Sequence, residues 1–235
     1  MKKLILEKKY NLDSNLFEIG VDEVGRGPMF GRVYSAAVIL PKNDIFKYEL
    51  LKDSKKFTSE KKIQEVANYI KENCISWSVS YEDEKTIDNI NIRNATHNSM
   101  HNSIKKIMSN FTNTDDLNNK FYILIDGNDF KPYTYLNNNK NMIEQVNHIL
   151  IEGGDNKYCS IAAASIIAKV ERDKYIKELC NCYTKLNDYY NLNKNKGYGT
   201  RNHLEGIEKY GISPWHRKSY GCCKYAHVNN ENFYL

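Results

Sequence analysis

No apolar run in these 235 residues is long enough to span a bilayer, which excludes a helical membrane protein. The opening Met1-Lys-Lys-Leu-Ile-Leu-Glu7 starts like a secretory signal, but its apolar stretch stops after three residues at Glu7 and Lys8. The six cysteines (Cys74, Cys159, Cys180, Cys182, Cys222, Cys223) include no C-x-x-C pair. That spacing suggests neither a zinc knuckle nor a disulfide framework and implies a reducing compartment, the cytoplasm with the nucleus left open. No internal repeat is evident. Charge is not extreme either: 34 Lys plus Arg against 29 Asp plus Glu give +5 and a pI near 8.7, compatible with a polyanionic partner without demanding one. What is present is ordinary globular composition. At 41% hydrophobic content the chain can bury a core as one domain, or as one domain with a modest appendage.

The stretch Glu18-Ile-Gly-Val-Asp-Glu-Val-Gly-Arg-Gly-Pro28 runs from an apolar strand through two adjacent carboxylates into a glycine-arginine-glycine turn. Along a strand Asp22 and Glu23 point to opposite faces. Both serve one site only if the strand ends there and the chain bends, which Gly25, Gly27 and Pro28 permit. Alone, such a pair is more often a solvated strand end.

Residues 17 to 24 read as a first strand and Val33 to Leu40 as a second, paired across a sharp turn. Lys52 to Phe57 is a polar loop; Thr58 or Ser59 opens a helix with Ile63, Val66, Ala67 and Ile70 on its apolar face. Ile75 to Tyr81 alternates as a third strand, and a long helix follows from Thr86 to about Asn110. Phe121-Tyr-Ile-Leu-Ile-Asp126, apolar on both faces, reads as a covered central strand. The Asn- and Lys-rich stretch 127–147 is by composition the least ordered connection. His148 to Ile151 is a short fifth strand, and Glu152-Gly-Gly-Asp155 turns into a helix starting near Ser160 and packed with small and branched residues. Beyond about residue 184 a further helix near 201–210 belongs to a helical extension. This order gives an α/β layer fold with a mixed sheet.

Asp22 with Glu23, Asp126 and Asp155 all lie at strand or turn ends. If they converge, four carboxylates cannot all stay ionised without counter-charge. Oxygen donors suit Mg²⁺ or Mn²⁺, and two such ions about 4 Å apart activate a water and stabilise the leaving oxygen in phosphodiester hydrolysis.

Gly20-Val-Asp-Glu-Val-Gly-Arg-Gly-Pro28, Asp53-Ser-Lys-Lys56, Leu124-Ile-Asp-Gly-Asn128, Gly154-Asp155, Ile161 through Glu171-Arg-Asp173, Lys196-Gly-Tyr-Gly-Thr200 and His216-Arg217 resemble, in order and character, the motifs of ribonuclease HII over roughly residues 17–220. The resemblance implies an RNase H-like fold: a central mixed five-stranded sheet flanked by helices, a catalytic domain over 1–184, and a C-terminal helical extension over 185–235 that completes the substrate-binding cleft. It implies cleavage of RNA in RNA/DNA hybrids and at single ribonucleotides in duplex DNA, on the 5′ side, leaving a 3′-hydroxyl and a 5′-phosphate. Asp22, Glu23, Asp126 and Asp155 match the family's metal-binding acids, holding two Mg²⁺ or Mn²⁺ ions. Asp173 shares a helical line with Ile166 and Cys180, drifting roughly 20° per seven residues. A buried carboxylate there needs a partner; because the family's fourth acid precedes this helix, Asp155 is chosen and Asp173 is assigned to an ion pair or a supporting role.

Gly25, Arg26 and Gly27 resemble the family's ribonucleotide sensor, whose backbone groups reach the 2′-hydroxyl. Tyr198 matches the tyrosine that packs on the neighbouring sugar, although an isolated Gly-Tyr-Gly is more often a turn with an aromatic anchor. Lys55, Lys169 and Lys196 match phosphate contacts; without the resemblance each reads as a solvated lysine. Met29-Phe-Gly-Arg-Val33 departs from the more usual Leu-Ala-Gly-Pro-Val, Phe57 and Tyr220 stand where Leu and Phe are common, and the connection from Asp126 to Asp155 is longer than in short bacterial members.

Gly25-x-Gly27 with Gly31 is not a dinucleotide fingerprint, since the last glycine falls one residue late and Pro28 lacks the amide a phosphate needs. His97 and His101 lack the Glu of a metalloprotease motif and read as helix-surface residues. The sister family, ribonuclease HIII, carries an N-terminal domain for which the 21 residues before Asp22 leave no room. A non-catalytic hybrid binder on the same fold is the alternative function, but a binder gains nothing from four carboxylates facing a phosphate backbone. The protein is expected to act as a monomer on nucleic acid, with no membrane partner. Its aromatic tail Asn232-Phe-Tyr-Leu235, where a replication-clamp contact would fall, carries no clear clamp motif.

Overall fold

The computed structural model describes residues 6–10, 15–111, 116–231 and 233. It contains β1 (Phe17–Val24), β2 (Val33–Ile39), α1 (Glu60–Asn73), β3 (Ser76–Glu82), α2 (Glu84–Ser109), β4 (Phe121–Asp126), β5 (Thr134–Asn137), β6 (Met142–Gln145), β7 (His148–Ile151), α3 (Cys159–Cys182), α4 (Lys185–Tyr190), α5 (Leu192–Asn195) and α6 (Arg201–Tyr210). The expected mixed five-stranded sheet is present in the order β3-β2-β1-β4-β7, with β1, β4 and β7 parallel. Among the described residues no helix is long and apolar enough to cross a membrane. The chain divides into two compact units: Met1–Val24, Ser35–Ser80 and His97–Val170 form one; Gly25–Tyr34, Tyr81–Thr96 and Glu171–Leu235 form the other.

The first unit is layered by strand alternation. Ile19 and Val21 of β1 and Phe121, Ile123 and Ile125 of β4 pack with Met100, Ile104 and Ile107 of α2. On the opposite face Ala36 and Val38 of β2 meet Ile63, Val66 and Ile70 of α1 and Ile166, Ile167 and Val170 of α3. Gly20 lies against the start of α3: a Cβ there would stand 2.2 Å from the Ser160 carbonyl carbon, so only glycine lets strand and helix meet. Ser59 caps α1, its hydroxyl accepting from the Lys62 N–H.

Two expectations are corrected and a third is filled in. The connection 127–147, by composition the least ordered, carries a hairpin: β5 and β6 pair antiparallel, the Tyr135 hydroxyl donates to Glu144 and Asp116, and Val146 joins the core. The long helix α2 is not continuous; Asn91 takes φ 66°, and its carboxamide oxygen accepts from the Asn94 N–H, capping the part that follows. His97 is not a surface residue. It is 5% exposed, 3.6 Å from the Asp129 carboxylate, while His101 donates to the Lys131 carbonyl at 2.6 Å.

The second unit has its own core, built from Met29, Phe30, Ile176, Leu186, Tyr190 and Ile207. Of the aromatic tail only Phe233 is described; it is buried in this core, and the rest lies outside the described residues.

Candidate active site

All four candidate acids lie in the first unit. β1 spans the expected residues and runs through both Asp22 and Glu23 to Val24, so the strand does not end at the acid pair and the bend follows at Gly25 with φ 92°. Alternation puts Asp22 with Gly20 on the α3 side. The parallel register sets Val21 beside Ile125, so Asp22 and Asp126, the last residue of β4, follow one residue further on adjacent strands and on the same face. Asp155 sits in the single turn Gly154–Asn156 between β7 and α3, where the Gly154 N–H donates to Asp126 Oδ1 at 2.6 Å. The structure therefore brings Asp22, Asp126 and Asp155 together, with Glu23 next to Asp22 but, since β1 continues through it, alternating to the other face of the strand.

Their electrostatics are unfavourable as they stand. Burial, then the charges of Glu23 and Asp126, raise Asp22 well above the ordinary carboxylate range, against the Ser165 hydroxyl and the Glu23 N–H, which donates at 2.7 Å. Asp155 is raised by burial and by Asp126 and Asp53, despite Lys55 and Asn156. Lys55 is the local counter-charge: burial opposes its ammonium, but Asp155, Asp53, Asp22 and Asp126 outweigh that and raise its pKa. Among the described residues no three acidic, histidine or cysteine side chains stand at metal-ligand spacing, the four candidate acids included. An oxygen-only donor set with excess negative charge nevertheless fits Mg²⁺ or Mn²⁺.

Residues missed by sequence reasoning brace this cluster. Asn156 donates to Asp155 at 3.0 Å and to Asp53 at 3.2 Å; Asp53 also accepts from the Lys55 N–H. Ser54 and Ser165 share a hydrogen bond of 3.0 Å behind Asp22. The motif Asp53-Ser-Lys-Lys56 held the signal, but only its lysine was read.

Gly25, Arg26, Gly27, Tyr198 and Lys196 lie in the second unit. Arg217, fully buried, donates to the carbonyls of Gly31 at 2.9 Å, Arg26 at 2.9 Å and Gly25 at 2.6 Å. Arg172, 1% exposed, donates to Lys196 O at 2.9 Å, and a Cβ on Gly25 would meet its Nε at 2.4 Å. Two buried guanidiniums thus hold the turn and the 196–198 loop by their carbonyls. Glu171-Arg-Asp173 and His216-Arg217 carried that signal. The Tyr198 ring is half exposed and faces Gly27, where a Cβ would approach its Cε1 to 3.5 Å. Asp173 stands beside Arg172, favouring its charged form against burial. Lys169 is half-buried on α3 in the first unit.

Two of the departures have physical accounts. Arg32, where proline is usual, is caged by the rings of Tyr81 and Tyr175 at 4.0 and 4.4 Å, with the Tyr34 hydroxyl at 3.5 Å. Tyr220 adds a bond phenylalanine cannot make, its hydroxyl donating to Arg26 O at 2.8 Å.

The family profile described as ribonuclease HII matches residues 19–226. The chain belongs to this family. A ribonuclease HII from Bacteroides thetaiotaomicron is 39% identical over 209 residues, covering 89% of this chain and 92% of that protein. Membership makes the chain an endoribonuclease, a hydrolase acting on nucleic acid. Among solved structures, the ribonuclease HII of Archaeoglobus fulgidus, determined in complex with PCNA, superposes with a TM-score of 0.64 at 23% identity, covering 88% of this chain and 96% of that one. Bst-RNase HIII, solved with Mn²⁺, gives 0.59 at 18% identity over 83% and 70%. These two likenesses support the fold; the ribonuclease HII identity rests on the profile and on the relative from Bacteroides.

Proposed function

We propose that this ribonuclease HII hydrolyses the RNA strand of RNA/DNA hybrids and incises 5′ of single ribonucleotides in duplex DNA, leaving a 3′-hydroxyl and a 5′-phosphate, acting as a monomer. The observation that supports it is the mutual charge of Asp22, Asp126 and Asp155, with Glu23 beside Asp22, which Lys55 offsets only in part. Asp22, Glu23, Asp126 and Asp155 would hold two Mg²⁺ or Mn²⁺ ions, which when bound supply water activation and stabilisation of the leaving oxygen. Lys55 and Lys169 hold phosphates. Gly25, Arg26 and Gly27 present backbone groups to the 2′-hydroxyl, with Tyr198 packed on the sugar and Lys196 on the backbone phosphate. On this reading Tyr198 and Lys196 are the contribution of the 185–235 extension to substrate binding.

The test is Asp126→Asn. Hybrid cleavage is expected to fall to background at every Mg²⁺ or Mn²⁺ concentration while hybrid binding, followed by fluorescence anisotropy, persists. Full activity in this variant would sink the two-metal assignment.

A further inference from the structure

The paired motif His216-Arg217 is only half used by the contacts described above: Arg217 holds the turn, and His216 has no assigned role. His216 is 1% exposed and His203, on α6, is fully buried. Their Nε2 atoms are 2.9 Å apart. At one end His216 Nδ1 lies 3.0 Å from the Ser213 backbone nitrogen, with the Ser213 hydroxyl at 2.8 Å. At the other, His203 Nδ1 lies 2.9 Å from the Tyr198 carbonyl oxygen.

The two ends fix every proton between them. A backbone N–H can only donate, so His216 Nδ1 accepts and its proton sits on Nε2. That proton points at His203 Nε2, which must accept. His203 then carries its proton on Nδ1 and donates to a carbonyl that can only accept. Protonating either ring would set two donors face to face, so the arrangement holds only when both imidazoles are neutral. Burial works the same way, lowering both pKa values, and at His216 the charge of His203 lowers it further. Tyr190 packs beside both rings but spends its hydroxyl on the Gly211 carbonyl at 2.9 Å, leaving the chain uninterrupted.

We propose that His203 and His216 are positioning residues for ribonucleotide discrimination, a one-directional chain of neutral imidazoles that fixes the Tyr198 backbone and hence the ring facing Gly27. The carbonyl of Tyr198 also accepts from the Thr200 N–H at 2.8 Å; the His203 bond is the one that ties it to the buried core. The proposal rests on reading Tyr198 as a sugar contact.

The test compares cleavage of a duplex bearing one ribonucleotide with cleavage of a long RNA/DNA hybrid. His203→Phe keeps the ring and removes both nitrogens; it should lower the ratio of single-ribonucleotide to hybrid kcat/KM roughly fivefold to tenfold, the scale of one lost hydrogen bond. His203→Asn, whose amide nitrogen can stand where Nδ1 stood, should recover most of that ratio. In a Tyr198→Ala background His203→Phe should produce no further fall. An undiminished ratio in His203→Phe, or an equal further fall in the Tyr198→Ala background, overturns the proposal while leaving the sensor reading intact. Failure of the wild-type chain to cut the single-ribonucleotide duplex overturns both. Should His203→Phe not fold, ¹⁵N spectra of the wild-type imidazoles decide: neutral rings protonated at Nδ1 of His203 and Nε2 of His216 support the chain, and any other pattern refutes it.

Discussion

Asp22 is 5% exposed beside Glu23 and Asp126, and its charge works against the fold at neutral pH. Its folded pKa is raised, so the folded chain holds the proton more tightly than the unfolded chain. Stability therefore falls as pH rises from the ordinary value of 3.8 through the raised one, and the full penalty applies above it. Asp22→Asn should accordingly melt higher than wild type at pH 7 without divalent ions, the gain vanishing as pH falls toward 3.8; thermal melts across pH check this, and an unchanged or lower Tm at pH 7 contradicts it. Arg217 makes the opposite case. Burial pushes its pKa down to about 10, still well above neutrality, so the guanidinium stays charged, and three carbonyls take its donors. Lysine cannot reproduce that fork. Arg217→Lys should cost about 2–4 kcal/mol in denaturant titrations, and a loss under about 0.5 kcal/mol would show that the carbonyls find other donors.

At the scale of elements, the turn after β1 is built so that only glycine serves at Gly25: φ is 92°, and a side chain would strike Arg172. Gly25→Ala should destabilise by about 1–3 kcal/mol in equilibrium unfolding, and wild-type stability would mean the turn is not held as described. Elements with an unambiguous pattern were legible. Phe121 to Asp126 is apolar on both faces, and both the strand and its terminal acid were placed; the helix 201–210 was equally clear. What escaped depends on contacts distant in sequence. The β5–β6 hairpin hides in an Asn- and Lys-rich stretch because its order comes from Tyr135, Glu144 and Asp116, not from apolar alternation. Asn91 breaks α2 by a local cap that hydrophobic periodicity does not register. The four acids were readable because each stands near the end of a strand or in a turn, whereas Asn156 and Ser165, which brace them, resemble any polar residue.

For the whole molecule, the division of labour follows the two units. The acids belong to one, the turn and Tyr198 to the other, and Val24–Gly25 is the first of the points at which the chain passes from one unit to the other. The second unit assembles Gly25–Tyr34 and Tyr81–Thr96 with the C-terminal segment, a grouping that chain order alone conceals. Cutting and discrimination are therefore expected to be separable by mutation. The most direct measurement is cleavage of a DNA duplex carrying one ribonucleotide, with Mg²⁺ or Mn²⁺, beside an all-DNA duplex and a long RNA/DNA hybrid, for wild type and Tyr198→Ala, with every cut mapped. The expected result is incision on the 5′ side of the ribonucleotide by wild type, its loss in Tyr198→Ala with hybrid cleavage retained, and no cutting of all-DNA. Hybrid cleavage without incision at the single ribonucleotide would contradict the sensor, and no cleavage of either substrate would contradict the assignment of Asp22, Glu23, Asp126 and Asp155 as a catalytic set.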